Sequence, residues 1–142
     1  MTDRVRSARF DELAVETFHD IVRLRVDVFV VEQECAYPEL DGLDLEAVHY
    51  WVEGPEGIAA YLRVVDEGDR RRIGRVVTHP AARRRSLARG LMEHVMAETS
   101  GPWFLSAQTY LRDWYGHLGF VEVGEEYVEG GIPHVDMERL PR

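Results

Sequence analysis

Residues 73–90 read Ile73-Gly74-Arg75-Val76-Val77-Thr78-His79-Pro80-Ala81-Ala82-Arg83-Arg84-Arg85-Ser86-Leu87-Ala88-Arg89-Gly90. The first six residues are rich in β-branched side chains, which is typical of a strand. An arginine-rich loop follows, and from Leu87 onward apolar residues return at helical spacing. A strand that leads through a basic loop into a helix N-terminus brings free backbone N–H groups and guanidinium groups together. The stretch therefore predicts a phosphate-binding loop.

Arginine is concentrated around this loop. Eight of the seventeen arginines fall between residues 70 and 89, which we name the arginine island, and no acidic residue occurs from 70 to 92. The net charge of the chain is −9. Outside the island, nine arginines and twenty-six Asp and Glu residues give a net charge of −17. A solvated arginine face or a nucleic-acid patch would also produce such a cluster. A small phosphorylated ligand is favoured, because the acidic remainder repels a long polyanion.

The composition predicts one globular domain over residues 1–142. No run approaches the roughly 18 apolar residues of a membrane span, and the first residues lack the apolar stretch of a signal peptide. The lone Cys35 cannot form an internal disulfide, which agrees with a reducing cytoplasm. No Cys/His spacing resembles a zinc site, and Asp41 with Asp44 is too small a set for a cation. We therefore expect a cytoplasmic protein without a metal and without membrane contact.

Upstream of the loop, the pattern predicts a strand, a helix and a hairpin. Asp11 is a plausible helix N-cap, and apolar residues recur at helical spacing up to about Val31. Residues 32–44 contain Pro38 and Gly42 and predict a loop with at most a short helical turn. The predicted strands are residues 5–10, 48–52 and 58–65, and the last two form an antiparallel hairpin.

Downstream of the loop, the pattern predicts a crossover followed by a second hairpin. Leu87, Leu91 and Val95 define a helix that ends near Gly101-Pro102. The strands at residues 72–78 and 103–107 should then be parallel neighbours. A short helix over 110–118 precedes strands at 120–127 and 132–138. The fold class is therefore α/β, with a mixed sheet that is antiparallel at both ends and has one parallel pair in the middle.

Several blocks of the sequence carry a family resemblance. They are Arg83-x-x-Ser86-x-Ala88, Tyr115-Gly116-His117-Leu118-Gly119-Phe120, Leu24-Arg25-x-x-Val28-Phe29-Val30-Val31-Glu32-Gln33, Tyr37, Asp41-Gly42-x-Asp44, His49 and Gly130-Gly131-Ile132-Pro133-His134. The first two resemble the phosphate loop and a later motif of the GNAT superfamily of acyl-CoA-dependent N-acetyltransferases. The others resemble its bacterial ElaA-like branch, and the likeness extends in scattered blocks over residues 11–139.

The resemblance implies a GNAT-like, mostly antiparallel twisted sheet with a central splayed parallel strand pair and flanking helices. It implies acetyl-CoA as cosubstrate, with the pantetheine arm between the parallel strands. The residues implied at the donor are Val76, Val77 and Thr78 at the pantetheine, and Arg83, Arg84, Arg85, Ser86, Leu87 and Ala88 at the pyrophosphate. Family members usually have glycine where Arg84 and Ser86 stand, so these side chains could weaken or shift binding. A serine can still cap a helix.

Tyr115 is the catalytic residue that the resemblance implies. The family reaction is attack by a neutral amine on a thioester, followed by expulsion of CoA thiolate. A phenol with a pKa near 10 can protonate a thiolate whose own pKa is about 8.5. The alternative is a core tyrosine that packs the short helix. The resemblance favours the general acid.

The sequence leaves the identity of the general base open. An ammonium must lose a proton before it attacks, and a carboxylate, a histidine or a water molecule can accept it. Glu32, His49 and His134 lie in the ElaA-like blocks, as do Glu34 and Asp41. Either histidine alone is more often a structural hydrogen-bonding residue. Glu32, His134 and His49 are candidates for the base or the acceptor site.

The resemblance thus implies acyl transfer from acetyl-CoA to a primary amine, by direct attack in a ternary complex. The acceptor would be a small molecule or a peptide amine, and the last two strands could offer an edge for a homodimer. A CoA-binding sensor or interaction module without catalysis is the alternative. A nucleic-acid-binding patch is the less favoured one.

Overall fold

A computed structural model describes residues 4–141, which form one seven-stranded sheet flanked by α-helices. The strands are β1 (Arg6–Arg9), β2 (Val48–Gly54), β3 (Gly57–Asp66), β4 (Arg71–Thr78), β5 (Trp103–Gln108), β6 (Val121–Glu129) and β7 (Ile132–Arg139). The α-helices are α1 (Val15–Arg25), α2 (Leu87–Glu98) and α3 (Arg112–His117). The strand order is β1-β2-β3-β4-β5-β7-β6, and only the β4–β5 pair is parallel. This is the mixed α/β sheet expected from the sequence.

The first helix differs from the sequence expectation at both ends. Asp11 lies inside a 3-10 turn (Phe10–Glu12) and is not a helix N-cap, so that prediction was wrong; α1 begins only at Val15. The Glu12 carboxylate, and not that of Asp11, accepts the hydrogen bond from the Arg9 backbone N–H at 2.9 Å. Beyond Arg25 the chain continues as a π-helix (Val26–Glu32). Such wide turns often occur at functional sites, and this one ends at Glu32.

The helices cover opposite faces of the sheet and create two apolar layers. Leu91, Met92 and Val95 of α2 pack on the face that carries Leu62. The predicted apolar stripe of this helix is thereby confirmed as buried. The second layer consists of Ile21, Leu24 and Val28 against Trp51, Ile58, Tyr61 and Val77. The neighbouring residues Tyr61 and Leu62 of β3 therefore point to opposite layers, as strand geometry requires.

The parallel strands β4 and β5 pair only at their beginnings. Their register joins Arg71 to Trp103 and Arg72 to Phe104, and no further pair is formed. On its other side β4 has a bulge opposite Leu62, because Tyr61 pairs with Val77 while Arg63 pairs with Gly74. From residue 73 onward the two parallel strands separate. This separation creates the space in which the candidate site lies.

The last two strands form the expected hairpin, but their order in the sheet was not foreseen. β7 lies between β5 and β6, so β6 becomes the edge strand. All nine residues of β6 are exposed, and Val121 and Val128 expose 63% and 69% of their surface. The homodimer edge stays a prediction.

Candidate active site

A cleft of about 890 Å³ opens where β4 and β5 separate. It is bounded by the π-helical segment, the arginine-rich loop, the start of α2, α3 and the β6–β7 hairpin. The predicted site residues that line it are Glu32, Val76, Val77, Thr78, Arg83, Arg84, Ser86, Leu87, Ala88, Tyr115 and His134. Arg85 and His49 do not belong to its lining. Nearly all of the predicted site thus converges on one cleft.

The loop before α2 holds two non-glycine residues in the left-handed conformation. Arg84 has φ +71° and Ser86 has φ +59°. Glycine was expected at these two positions, and glycine adopts this conformation without steric cost. Ser86 stands at the N-cap of α2, but its side chain makes no capping hydrogen bond. The backbone geometry expected of a glycine-containing loop is therefore present without the glycines.

The start of α2 offers unpaired donors to an anion. Within residues 4–141, the backbone N–H groups of Leu87 and Ala88 have no hydrogen-bond acceptor. They lie at the positive end of the helix dipole and line the cleft. This arrangement fits the pyrophosphate of an acyl-CoA.

Carboxylates neutralise much of the arginine island. The pairs are Arg70 and Arg72 with Glu67, Arg75 with Glu39, Arg83 with Glu32, and Arg89 with Glu93. Arg84 has no carboxylate partner in the part of the chain that the structure describes, and it lines the cleft. The Arg84 guanidinium is therefore available to a ligand without the loss of an ion pair.

Tyr115 combines a buried ring with access to the cleft. It is 6% exposed and packs edge-to-face on Trp114 and Phe120, with ring centroids 4.9 and 6.1 Å away. Burial raises the pKa of the Tyr115 phenol above its ordinary value near 10. No residue among 4–141 makes a hydrogen bond with its hydroxyl. The protonated phenol of a residue that lines the cleft can act as a proton donor.

His134 lines the cleft from β7, in the β6–β7 hairpin. Its Nδ1 is 2.7 Å from the carbonyl oxygen of Ile132, and its ring stacks on Tyr127 at a centroid distance of 5.9 Å. A carbonyl only accepts hydrogen bonds, so Nδ1 carries the proton and Nε2 of the neutral ring has a free lone pair. The contacts thus assign a tautomer that can accept a proton.

The other base candidates are placed less favourably. His49 is fully buried, with Nδ1 2.6 Å from the Tyr61 hydroxyl and Nε2 3.0 Å from the carbonyl of Asp44. Burial lowers the pKa of His49, and both of its ring nitrogens are engaged away from the cleft. Hydrogen bonds from Arg83 lower the pKa of Glu32, which makes this carboxylate a weaker proton acceptor.

Behind the loop of residues 33–44 lies a cluster of charges that the sequence analysis missed. Arg25 and Arg75 both contact Glu39, whereas Arg63 forms a two-point pair with Asp41 at 2.9 and 2.6 Å. Burial alone would raise the pKa of Asp41, but hydrogen bonds from Arg63 and from the Leu43 backbone lower it to about 2. Only the unusual density of carboxylates in this loop could have signalled the cluster.

Two further contacts close the far end of the cleft. The Cys35 thiol is 3.0 Å from the carbonyl of Gly130, and the Tyr37 hydroxyl is 3.1 Å from the Glu129 carboxylate. They join the loop of residues 33–44 to the β6–β7 hairpin. Cys35 therefore has a packing role at the wall.

Over residues 4–141 no three or more His, Cys, Asp or Glu side chains are grouped so that they could hold a metal ion. None of the described helices has the length and apolarity needed to cross a membrane.

Known proteins resemble this chain over almost its whole length. A family model described as an acetyltransferase (GNAT) domain matches residues 10–141. The UPF0039 protein Rv2851c of Mycobacterium tuberculosis is 41% identical over 147 aligned residues, which cover 98% of this chain and 94% of that protein. An acyl-CoA N-acyltransferase from Pseudomonas aeruginosa superposes with a TM-score of 0.89 at 37% identity, over 97% of this chain and 99% of that one. For Escherichia coli ElaA the TM-score is 0.87 at 32% identity, with the same coverage.

Proposed function

Because the chain belongs to the GNAT acetyltransferase family and is an N-acetyltransferase of that family, we propose that acetyl-CoA is its donor and a primary amine its acceptor. We propose further that the amine attacks the thioester directly in a ternary complex. One observation carries this proposal. A single cleft contains the unpaired N–H groups of α2, the free Arg84 guanidinium and the protonated Tyr115.

The start of α2 and the arginine-rich loop would hold the pyrophosphate. The N–H groups of Leu87 and Ala88 and the guanidinium groups of Arg83 and Arg84 belong to residues that line the cleft here. Charge-assisted hydrogen bonds to phosphate are among the strongest in proteins. Arg85 also lies in this loop but does not line the cleft. We therefore propose that it contacts the pyrophosphate only from outside the cleft.

The separated edge of β4 would bind the pantetheine arm. Since β5 leaves β4 after Arg72, the backbone groups of Val76, Val77 and Thr78 on this side are not used by a neighbouring strand. An extended ligand with amide groups can take the place of such a strand. A backbone N–H at the bulge would polarise the thioester carbonyl.

Tyr115 would donate the proton that the departing thiolate needs. Burial keeps its phenol protonated beyond its ordinary pKa, and the hydroxyl is not held by another described residue. General acid catalysis of this kind typically contributes 10²–10⁴-fold.

His134 is the residue that we propose as the proton acceptor for the amine. Its Nδ1–H is fixed by Ile132, so Nε2 is available to accept a proton, and the residue lines the cleft. Glu32 would instead belong to the wall at the mouth of the cleft, where its half-exposed carboxylate is paired with Arg83. His49 has no part in this scheme, since it is buried away from the cleft.

The acceptor end of the cleft suits a cationic amine, from a small molecule or from a peptide. The Glu129 carboxylate lines it, and within residues 4–141 only the neutral Tyr37 hydroxyl contacts that carboxylate. An unneutralised carboxylate in a concave site attracts positive charge.

For its setting, we propose a single domain in the cytoplasm, with the exposed edge of β6 available for a homodimer. A nucleic-acid role is disfavoured, because five of the eight island arginines already have carboxylate partners.

The proposal is tested by calorimetric titration with acetyl-CoA and dephospho-CoA, combined with an assay of thiol release in the presence of an amine panel. We expect wild type to bind acetyl-CoA and Arg83→Ala to bind it more weakly. The absence of binding by wild type would contradict the donor assignment. Binding without thiol release for any amine would instead favour a CoA sensor.

A further inference from the structure

Glu39 is held by two arginines from different elements in the same way. Arg25 of α1 donates from Nε to Glu39 Oε2 at 2.7 Å and from Nη2 to the Glu39 carbonyl oxygen at 3.1 Å. Arg75 of β4 makes the same two contacts at 2.7 and 3.1 Å. The exposed fractions of the three side chains are 0% for Arg25, 9% for Glu39 and 20% for Arg75. We name this arrangement the Glu39 clamp.

The clamp includes a strained residue of the donor strand. Arg75 has φ +54°, and within residues 4–141 it is the only residue other than glycine with positive φ inside a strand. It lies in the β4 bulge, where two residues face Leu62. Such a conformation is disfavoured for a side chain with a Cβ, and it persists only where surrounding contacts determine it. The double contact with Glu39 supplies that constraint.

Glu39 also belongs to the wall at the acceptor end. The loop of residues 33–44 contains Cys35 and Tyr37, which contact the β6–β7 hairpin across the cleft. Asp41 adds a second link, because its carboxylate accepts hydrogen bonds from Arg63 of β3 and, at 3.4 Å, from Arg75. Glu39, with Asp41 as a second link, therefore joins the strand that would hold the thioester to the loop that would hold the amine.

We propose that Arg75 and Glu39 are positioning residues, which fix the bulge of β4 and the acceptor loop relative to each other so that the amine meets the thioester. This inference rests on the proposed function. It assigns the pair no contact with the reacting atoms. Its prediction is that the two halves of the site respond together when the donor binds.

The chain provides a matched control for the clamp. Glu67 is also bridged by two arginines, with Nε of Arg70 and Nε of Arg72 each 2.8 Å from its carboxylate. Glu67 lies in the turn between β3 and β4 and does not line the cleft. Glu39→Gln and Glu67→Gln therefore remove the same charge from the same kind of bridge, one at the acceptor wall and one away from it.

The experiment is amide hydrogen exchange by mass spectrometry, with and without acetyl-CoA, on wild type, Glu39→Gln, Arg75→Gly and Glu67→Gln. Glycine is used at 75 because it retains the left-handed backbone while it removes the guanidinium. In wild type and Glu67→Gln, acetyl-CoA should slow exchange in residues 73–80 and in residues 34–44. In Glu39→Gln and Arg75→Gly, only residues 73–80 should become slower.

A kinetic measurement on the same variants uses spermidine as the amine probe. Thiol release at saturating acetyl-CoA should fall roughly 10- to 100-fold in Glu39→Gln, as for a reacting group misplaced by about 1 Å. The Kd for acetyl-CoA should stay within about threefold of wild type, and exchange in β2 and β3 checks that the variant is folded.

The outcomes separate the inference from the function on which it rests. If Glu39→Gln retains the slowing in residues 34–44, or if it loses acetyl-CoA binding itself, the positioning role is overturned while the proposed function stands. If wild type does not bind acetyl-CoA, both are overturned.

Discussion

Glu32 and Arg83 form a two-point ion pair across the mouth of the cleft, with both Nη1–Oε2 and Nη2–Oε1 at 2.8 Å. The pair joins the end of the π-helix to the loop that precedes α2. Arg83 is also a residue that we propose for the pyrophosphate. A bound pyrophosphate and the Glu32 carboxylate would therefore compete for the same guanidinium.

Glu32→Gln should strengthen acetyl-CoA binding, because it removes this competitor. A half-exposed ion pair is worth about 0–1 kcal/mol, so the Kd should fall by up to about fivefold. Calorimetric titration measures this, and Glu53→Gln in β2, outside the cleft lining, controls for the loss of one half-exposed, paired carboxylate. Weaker binding by Glu32→Gln would show that the pair supports the donor site.

Tyr115→Phe should lower kcat by roughly 10²–10⁴-fold and leave the acetyl-CoA Kd nearly unchanged, because only the proton donor is lost. Burial raises the pKa of Tyr115, so its ionisation should not lower the wild-type rate as the pH rises to its ordinary value near 10. Steady-state kinetics and a pH–rate profile check both statements. Tyr110→Phe, an exposed tyrosine of the same cleft, is the control. Unchanged turnover in Tyr115→Phe would remove this residue from the mechanism.

His134→Gln should lower kcat/KM for the amine most strongly at neutral pH. An acceptor that is already deprotonated at alkaline pH needs no base, so the difference from wild type should shrink as the pH rises. A pH series of kcat/KM measures this change, with the exposed His117→Gln as control. A defect of equal size at every pH would indicate that His134 only shapes the acceptor pocket.

Ser86→Gly should raise the free energy of unfolding slightly. The left-handed conformation destabilises a residue with a Cβ by roughly 1–2 kcal/mol, and glycine removes this strain. The greater freedom of glycine in the unfolded chain lowers the stability by about 0.5–1 kcal/mol and so offsets part of this effect. We expect net stabilisation of about 0–1 kcal/mol by urea denaturation, with acetyl-CoA binding retained. Ser7→Gly in β1, where no positive φ occurs, should destabilise by a similar amount. Clear destabilisation by Ser86→Gly would refute the argument from backbone strain.

The carboxylate network should make stability depend on pH below 4. The pKa of Asp41 is lowered from 3.8 to about 2. Its contribution to the free energy of unfolding is therefore complete above pH 3.8 and is lost as the pH falls towards 2. Asp41→Asn should therefore be less stable than wild type at pH 7, and should lose less additional stability between pH 4 and pH 2. Urea denaturation at stepped pH measures this, with the exposed Asp20→Asn as control. Parallel curves for Asp41→Asn and wild type would contradict it.

Local patterns account for the parts of the fold that were predicted. The strand, loop and helix of residues 73–98 and the hairpin of β2 and β3 follow from periodicity and turn residues within single windows. The insertion of β7 between β5 and β6 could not be predicted, since strand order depends on packing between distant segments. The π-helix was missed for another reason: over seven residues its period is hard to distinguish from that of an α-helix.

The candidate site, like the fold, was predicted only in part. The loop of residues 83–88 and Tyr115 were expected on the strength of a family motif, and the structure brings both to one cleft. The Glu39 clamp was not expected. Its arginines lie 14 and 36 residues away from Glu39, and no spacing rule connects charges at such separations. Likewise, only the tertiary structure could reveal that His49 is buried and that His134 is not.

The early separation of β4 from β5 has a mechanical consequence for the whole molecule. The sheet consists of two half-sheets that are joined at one end only. The pairing between them is confined to Arg71 with Trp103 and Arg72 with Phe104. The guanidinium groups of Arg70 and Arg72 lie 3.7 and 4.7 Å from the ring centre of Phe104 and reinforce that pairing. An extended ligand in the gap would hold the two half-sheets together, because it would form the backbone hydrogen bonds that β4 and β5 do not make with each other. The fraction of protein with bound donor and its resistance to unfolding would then rise together, because both depend on filling the gap between β4 and β5.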